Sequence, residues 1–192
     1  MANKIKVTQK ENLVAVSGRD SFQTPNYATD LLVPFLKKIR SSYDKPSEFT
    51  IWECASGNGR MENRLHEHGF EVFGTDLSTG FNFLTDHTDL FDCIVTNPPY
   101  SLKKKFYDKC LEYEVPFALL IPADYSGWVI EALQNGAEKI IPTRRIDFIT
   151  PTGKSGATGQ SANFHSLWLT FGFCLGRSET FVELTQEMKR NI

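Results

Sequence analysis

Apolar positions along the chain follow two rhythms. From Thr24-Pro25 onward, Tyr27, Leu31, Leu32, Phe35 and Ile39 recur at helical spacing, and Pro34 among them predicts a kink or a shortened helix. A polar break at 41–48 leads into a short apolar run at 49–54 that reads as a strand. The glycine turn Gly57-Asn58-Gly59 opens a helix reaching about His68, where Gly69 stops it. Runs 70–74 and 91–96 read as further strands; a helix at 102–114, a strand at 115–121 and a helix at 126–134 follow. Strands alternating with helices predict an α/β fold with a mostly parallel central sheet and helices on both faces.

The end of the chain has a different rhythm. Segments 139–149 and 164–175 are long strand-like runs around a Gly/Ser/Thr-rich stretch at 150–162, predicting a C-terminal antiparallel β-hairpin with a long tip. A connection of that length inside a compact domain is usually functional or mobile. The expected organisation is an N-terminal arm at 1–20, one domain at 21–176 and a tail at 177–192, without internal repeats.

Composition narrows the class. Of 192 residues, 41% are hydrophobic and 23% charged, which argues against disorder, collagen and coiled coil. With 15 Phe, 6 Tyr and 3 Trp, aromatic side chains suffice for a core and for a site as well. The formal net charge of −2 offers no blanket polycation, so a nucleic-acid partner needs a local basic patch. Cys54, Cys93, Cys110 and Cys174 form no C-x-x-C pair, and Cys54 and Cys93 lie in apolar runs, so core thiols in a reducing cytoplasm are expected, without metal. Residues 1–10 have no apolar signal-peptide core, and no apolar stretch approaches the roughly 18 residues of a membrane span.

Three features carry chemistry. Glu53-Cys54-Ala55-Ser56-Gly57-Asn58-Gly59 places an acid at a strand end and a G-x-G turn before a helix, so the backbone can approach a ligand closely. Alone, such a turn is as readily a plain helix start, and Glu62 occupies the third position of a dinucleotide fingerprint. Asp76 ends the next strand 23 residues after Glu53, where an acid can accept both hydroxyls of a ribose. Asn97-Pro98-Pro99-Tyr100 directly follows a strand. A residue before proline is held extended, so the Asn97 amide and the Pro98 carbonyl place two acceptors together, with Tyr100 as a flat face beside them. Two acceptors and a ring suit a planar –NH2 group.

Together these residues resemble the class I S-adenosylmethionine-dependent methyltransferases, specifically the N6-adenine DNA methyltransferase branch in its small, phage-type form. Phe22-Gln23-Thr24-Pro25 resembles that branch's additional N-terminal motif, and the likeness runs over roughly residues 20–175. The resemblance implies a Rossmann-like class I methyltransferase fold and S-adenosyl-L-methionine as cofactor. It implies that Glu53, Ala55, Gly57 and Gly59 line the methionine end, that Gln23 and Thr24 close over the amino-acid moiety, that Asp76 holds the ribose, and that Leu77 packs on the cofactor adenine. The family often carries Asp-Phe-Leu to read that adenine; here Asn82, Phe83 and Leu84 stand there, with Asp86 a nearby substitute. Asn97, Pro98, Pro99 and Tyr100 are the implied catalytic motif, acting on a base flipped out of the duplex.

The implied partner is nucleic acid, DNA first and RNA second, in the cytoplasm of a bacterial or phage-infected cell. Lys103, Lys104, Lys105 and Lys109 after the motif, with Arg144, Arg145 and Lys154 near the late loop, are candidate phosphate contacts. No separate target-recognition domain follows, so the 150–162 stretch, a specificity partner or a homodimer supplies recognition, or specificity is low. Other planar acceptors, namely RNA adenine, cytosine N4 and a protein glutamine, keep the same chemistry. A cofactor-binding subunit without catalysis is the reading from a different class. Gly153-Lys154-Ser155 lacks the upstream glycine of a phosphate-binding loop, and His66 and His68 fall on different helix faces, so neither nucleotide triphosphate nor zinc is expected.

Overall fold

A computed structural model of the chain describes residues 22–149 and 164–190. In chain order its elements are α1 (Asn26–Asp30), α2 (Val33–Ser41), β1 (Thr50–Glu53), α3 (Arg60–Glu67), β2 (Glu71–Gly74), β3 (Cys93–Thr96), α4 (Lys103–Glu112), β4 (Phe117–Pro122), α5 (Gly127–Gln134), β5 (Glu138–Pro142), β6 (Ser166–Phe171) and β7 (Glu179–Val182). The strands form one sheet in the order β2-β1-β3-β4-β6-β5-β7. Pairings of β1 with β2 and β3, of β3 with β4 and of β5 with β7 are parallel, and β6 runs antiparallel to both β4 and β5. This is the expected α/β class, mostly parallel with an antiparallel β5–β6 pair.

Strand alternation builds two cores, one on each face. Ile51, Val95, Leu120 and Trp168 point to the face covered by α1, α2 and α3, where Leu32, Leu36 and Leu65 meet them. Their neighbours Trp52, Ile94, Leu119 and Leu167 point to the other face, toward Phe106 of α4 and Ala132 of α5. Central strands buried on both faces explain the nearly continuous apolar runs. Trp52 is fully buried, donates its indole N–H to the Thr75 hydroxyl at 2.9 Å and stacks on Phe73 at 5.8 Å. Trp168 likewise donates to the Ala28 carbonyl at 3.1 Å, tying α1 to the sheet.

Three expectations need correction. The first helix is two helices, broken at Leu31-Leu32, and Pro34 lies in the first turn of α2, where its missing N–H costs nothing. The strand expected over 139–149 ends at Pro142; the chain beyond it is irregular until Ile149 pairs with Gln23. Residues 177–192, expected as a tail, contribute β7, which extends the sheet beside β5. The arm at 1–20 and the stretch at 150–162, with Lys154 and the Gly153-Lys154-Ser155 sequence, lie outside the described residues.

Sequential strands β1 and β2 are neighbours, whereas β3 lies on the opposite side of β1. The connections out of β1 and β3 therefore diverge, opening a crevice at the carboxyl ends of those two strands.

Candidate active site

A cavity of about 350 Å³ occupies that crevice, a volume within the range of small-molecule sites. Residues singled out in the sequence line it from five places. Glu53, Ala55 and Gly57 come from the end of β1 and the turn after it; Asp76 and Leu77 come from the end of β2. Asn82 and Phe83 follow, Asn97 and Pro99 come from beyond β3, and Gln23 and Thr24 close the wall from the N-terminal side. Of the residues singled out in the sequence, Gly59, Pro98 and Tyr100 do not line it. Gly59 is the N-cap of α3, in a left-handed conformation.

Two buried acceptors face this cavity without a partner among the described residues. Glu53 is 2% exposed, and its Oε1 has none. Burial, reinforced by the charges of Glu62 and Asp76, raises its carboxyl to about 8 against the opposing pull of Thr96 and the Ala55 N–H. Asn97 is the second. Its Nδ2 donates to the Phe22 carbonyl at 3.3 Å, and its Oδ1 is buried with no partner.

Asp76 is more fully engaged. It accepts the Gly57 N–H at 3.0 Å, the Ser78 N–H at 2.8 Å and the Ser78 hydroxyl at 2.5 Å. An ionised carboxylate has about four lone-pair sites, so capacity for a further donor persists. Asn82 instead turns its side-chain oxygen to the Leu84 N–H at 3.1 Å, and Asp86 accepts the Asn82 N–H at 2.9 Å, so both serve their own turn. Asp86 does not line the cavity. Phe83 is 2% exposed and stacks on Phe106 at 4.8 Å, joining the cavity floor to the second core.

Residues 22–24 act as a strap. The Gln23 backbone exchanges two hydrogen bonds with Ile149, at 2.8 and 3.0 Å, and the Gln23 side chain covers Gly57. A Cβ at Gly57 would stand 3.2 Å from Gln23 Nε2, and its φ of +55° is also a glycine conformation. Gly74 meets a comparable demand, because a Cβ there would collide with the Glu62 carboxylate. Tyr100, in a short 3-10 turn after Pro99, packs edge-on against Phe148 at 6.1 Å and Phe164 at 5.5 Å. Phe22 reaches the same Phe148 ring at 6.4 Å, which makes an aromatic wall beside the cavity.

Sequence reading of side chains could not find the role of Phe22, because its contribution to Asn97 is a backbone carbonyl. Cys54, Ser56, Met61, Ser78, Leu102 and Phe106 also line the cavity. Only strand-end position could have flagged the polar ones.

The candidate phosphate contacts divide. Lys103 pairs with Asp124 at 3.4 Å, Lys104 with Asp108 at 2.7 Å and Lys109 with Glu112 at 2.7 Å. Lys105, Arg144 and Arg145 are exposed. His66 faces the Phe70 carbonyl and His68 faces Asp30. Among the described residues no group of three His, Cys, Asp or Glu side chains could hold a metal ion, and no helix is long and apolar enough to cross a membrane. Cys54, Cys93 and Cys110 are buried free thiols, and Cys174 is an exposed one.

No protein-family model and no curated protein matches the chain. Among solved structures it is similar to the crystal structure of a dimethyladenosine transferase from Plasmodium falciparum, with a TM-score of 0.41 and 14% sequence identity. The match covers 71% of this chain and 59% of that chain, less than two thirds of its length.

Proposed function

We propose that the chain is an S-adenosyl-L-methionine-dependent methyltransferase acting on the exocyclic N6 amine of adenine in DNA. The observation that carries the reading is the Asn97 amide, whose Nδ2 is committed to Phe22 and whose Oδ1 is a buried, unpartnered acceptor in the cavity wall. An aromatic amine delocalises its lone pair into the ring and is a poor nucleophile. Accepting one of its hydrogens at Asn97 Oδ1, and the other at the Pro98 carbonyl, favours a pyramidal nitrogen whose lone pair is free to react. Tyr100, braced by Phe148 and Phe164, offers a ring face on which the flipped base stacks.

The cavity suits the cofactor in size and polar lining, with an unpartnered carboxyl oxygen on Glu53 and a remaining acceptor site on Asp76. Glu53, Ala55 and Gly57 would hold the methionine end with Gln23 and Thr24 over it, Gly59 would set the turn, Asp76 would hold the ribose, and Leu77, Asn82 and Phe83 would flank the adenine. When bound, S-adenosyl-L-methionine supplies a methyl group already activated by a sulfonium. The chain's own contribution is to align the acceptor nitrogen and exclude water. Lys105, Arg144 and Arg145 are the phosphate contacts this reading favours, since they are exposed while Lys103, Lys104 and Lys109 pair with carboxylates.

Mass spectrometry of nucleosides tests the reading, with unmethylated DNA, S-adenosyl-L-methionine and the protein, beside Asn97→Ala. N6-methyladenine with the unmutated chain alone is the expected result. An unmodified DNA digest, with cofactor binding intact, overturns the DNA assignment and turns the assay to RNA adenine, cytosine N4 or a protein glutamine.

A further inference from the structure

We propose that β7 is the edge through which two copies of this chain join, antiparallel and about a two-fold axis at Thr180, so that their sheets become one. The inference is independent of how the cavity is read, because β4, β6 and β5 separate β7 from the crevice.

β7 pairs on one side only. Its register with β5 sets Glu179 against Lys139 and Val182 against Pro142. The Lys139 N–H donates to the Ser178 carbonyl at 2.7 Å, and the Thr143 N–H donates to the Val182 carbonyl at 2.9 Å. Residues 178, 180 and 182 thus turn their backbone groups toward β5, whereas Glu179 and Phe181 turn theirs to the open edge. β7 has neither proline nor lysine, two residues that guard sheet edges against pairing. It has instead Phe181, 67% exposed, and among the described residues no other large exposed hydrophobic lies in a strand.

A second copy of β7 answers this edge, and backbone parity limits how it can do so. Outward groups must meet outward groups, so odd-numbered residues face odd-numbered residues. With the axis at Thr180, Glu179 of each copy faces Phe181 of the other, and Arg177 faces Glu183, an opposite charge. Moving the axis to Phe181 would set Glu179 against Glu183, like charges directly opposed, which destabilises a pair.

The Thr180 register also covers apolar surface. Glu179 accepts the Tyr125 hydroxyl at 2.8 Å, so the Tyr125 ring, itself 64% exposed, stands beside the position that Phe181 of the other copy faces. The two Phe181 side chains become diagonal neighbours, a spacing that aromatic rings bridge. Glu179 carries no lone charge into the contact, since the Lys139 ammonium is 3.7 Å away. A contact of the same patch on both copies closes as a dimer, whereas β7 against the other sheet edge, β2, would be head-to-tail and need not close.

Sedimentation velocity of the full chain, from low to high micromolar concentration, tests the pairing. The expected result is a species of twice the chain's mass that dissociates on dilution and is lost in Phe181→Asp. Arg177→Glu alone and Glu183→Arg alone should each weaken the dimer by about tenfold, because each creates like-charge pairs at both ends of the contact. The double variant exchanges both charges and should recover the parental dimer. Arg177 and Glu183 are exposed, so these changes spare the fold, which circular dichroism verifies. The mass of a single chain at every concentration overturns the inference and leaves the edge to another segment or another protein. A dimer indifferent to Phe181→Asp, or single reversals that the double variant does not rescue, overturns it as well.

Discussion

Asn97 donates its Nδ2 hydrogen to the Phe22 carbonyl, and this contact decides which end of the amide the cavity sees. Were the amide turned over, two oxygens would face each other and an –NH2 substrate would meet another –NH2. The backbone of residue 22 thus sets the polarity of a side chain on the far side of the crevice. Asn97→Asp separates the two jobs of the amide. Its ionised form has no hydrogen for Phe22, whereas its protonated form can donate there and accept from substrate with the other oxygen. On the proposed function, methylation by Asn97→Asp should therefore fall about tenfold per pH unit above that carboxyl's titration, a limb missing from the unmutated chain. Parallel pH–rate profiles of the two proteins would contradict this role for Phe22.

Gly57→Ala should weaken cofactor binding and lower stability. Alanine at φ +55° is strained, and its methyl group would press on the Gln23 amide 3.2 Å away. A loss of about 1 kcal/mol in urea-induced unfolding is expected, with reduced S-adenosylhomocysteine affinity in the same preparation. An unchanged affinity would show that the strap moves aside at no expense to the site.

Lys139 gives the fold a pH signature unrelated to the site. Its side chain is buried under the Tyr125 ring at 3.6 Å, and Glu179 stands 3.7 Å from its ammonium group. Desolvation lowers its pKa below the ordinary 10.5, outweighing the attraction of Glu179. The unfolded chain thus holds this proton more tightly, and stability should rise as pH climbs through the folded titration toward 10.5. Lys139→Met should be more stable than the parent by about 1 kcal/mol or more at neutral pH, with the gain shrinking as the solution becomes alkaline. Urea unfolding at several pH values measures both, and a gain independent of pH would point to packing alone.

Replacing Arg144 and Arg145 by alanine should reduce the salt dependence of DNA binding. Each lost phosphate contact flattens the slope of log affinity against log salt by about 0.9. The double variant should therefore lose close to two units of slope, with cofactor affinity unchanged. Lys104→Ala is the comparison, because Asp108 already engages that ammonium at 2.7 Å. Equal effects from the two changes would move the contact to α4.

Much of this organisation was legible in the residues, for identifiable reasons. Strands β1, β3 and β4 are buried on both faces, so they appear as short apolar runs, and the sequence pattern alone puts Glu53, Asp76 and Asn97 at or just beyond strand ends. β7 was not legible. Its four residues do not alternate cleanly, and Phe181 in it is 67% exposed, so burial leaves no rhythm to read. The place of β6 between β4 and β5 was hidden too, because a hairpin pattern reveals the pairing with β5 but not which strand takes the other edge. Backbone groups that act at a distance in sequence, such as the Phe22 carbonyl, leave no mark on side-chain patterns.

The reversed direction of β6 bears on how such a chain can diversify. A parallel strand in that position would oblige its connection to travel the height of the sheet, which fixes a minimum length. Running antiparallel, β6 begins where β5 ends, and His165 at its entry meets the Pro142 carbonyl at 2.8 Å. The intervening chain can then lengthen at an entropic penalty that grows only logarithmically with its length. Because Ile149 on this path pairs with Gln23 of the strap, insertions would accumulate next to the mouth of the crevice while the seven-stranded frame kept its register.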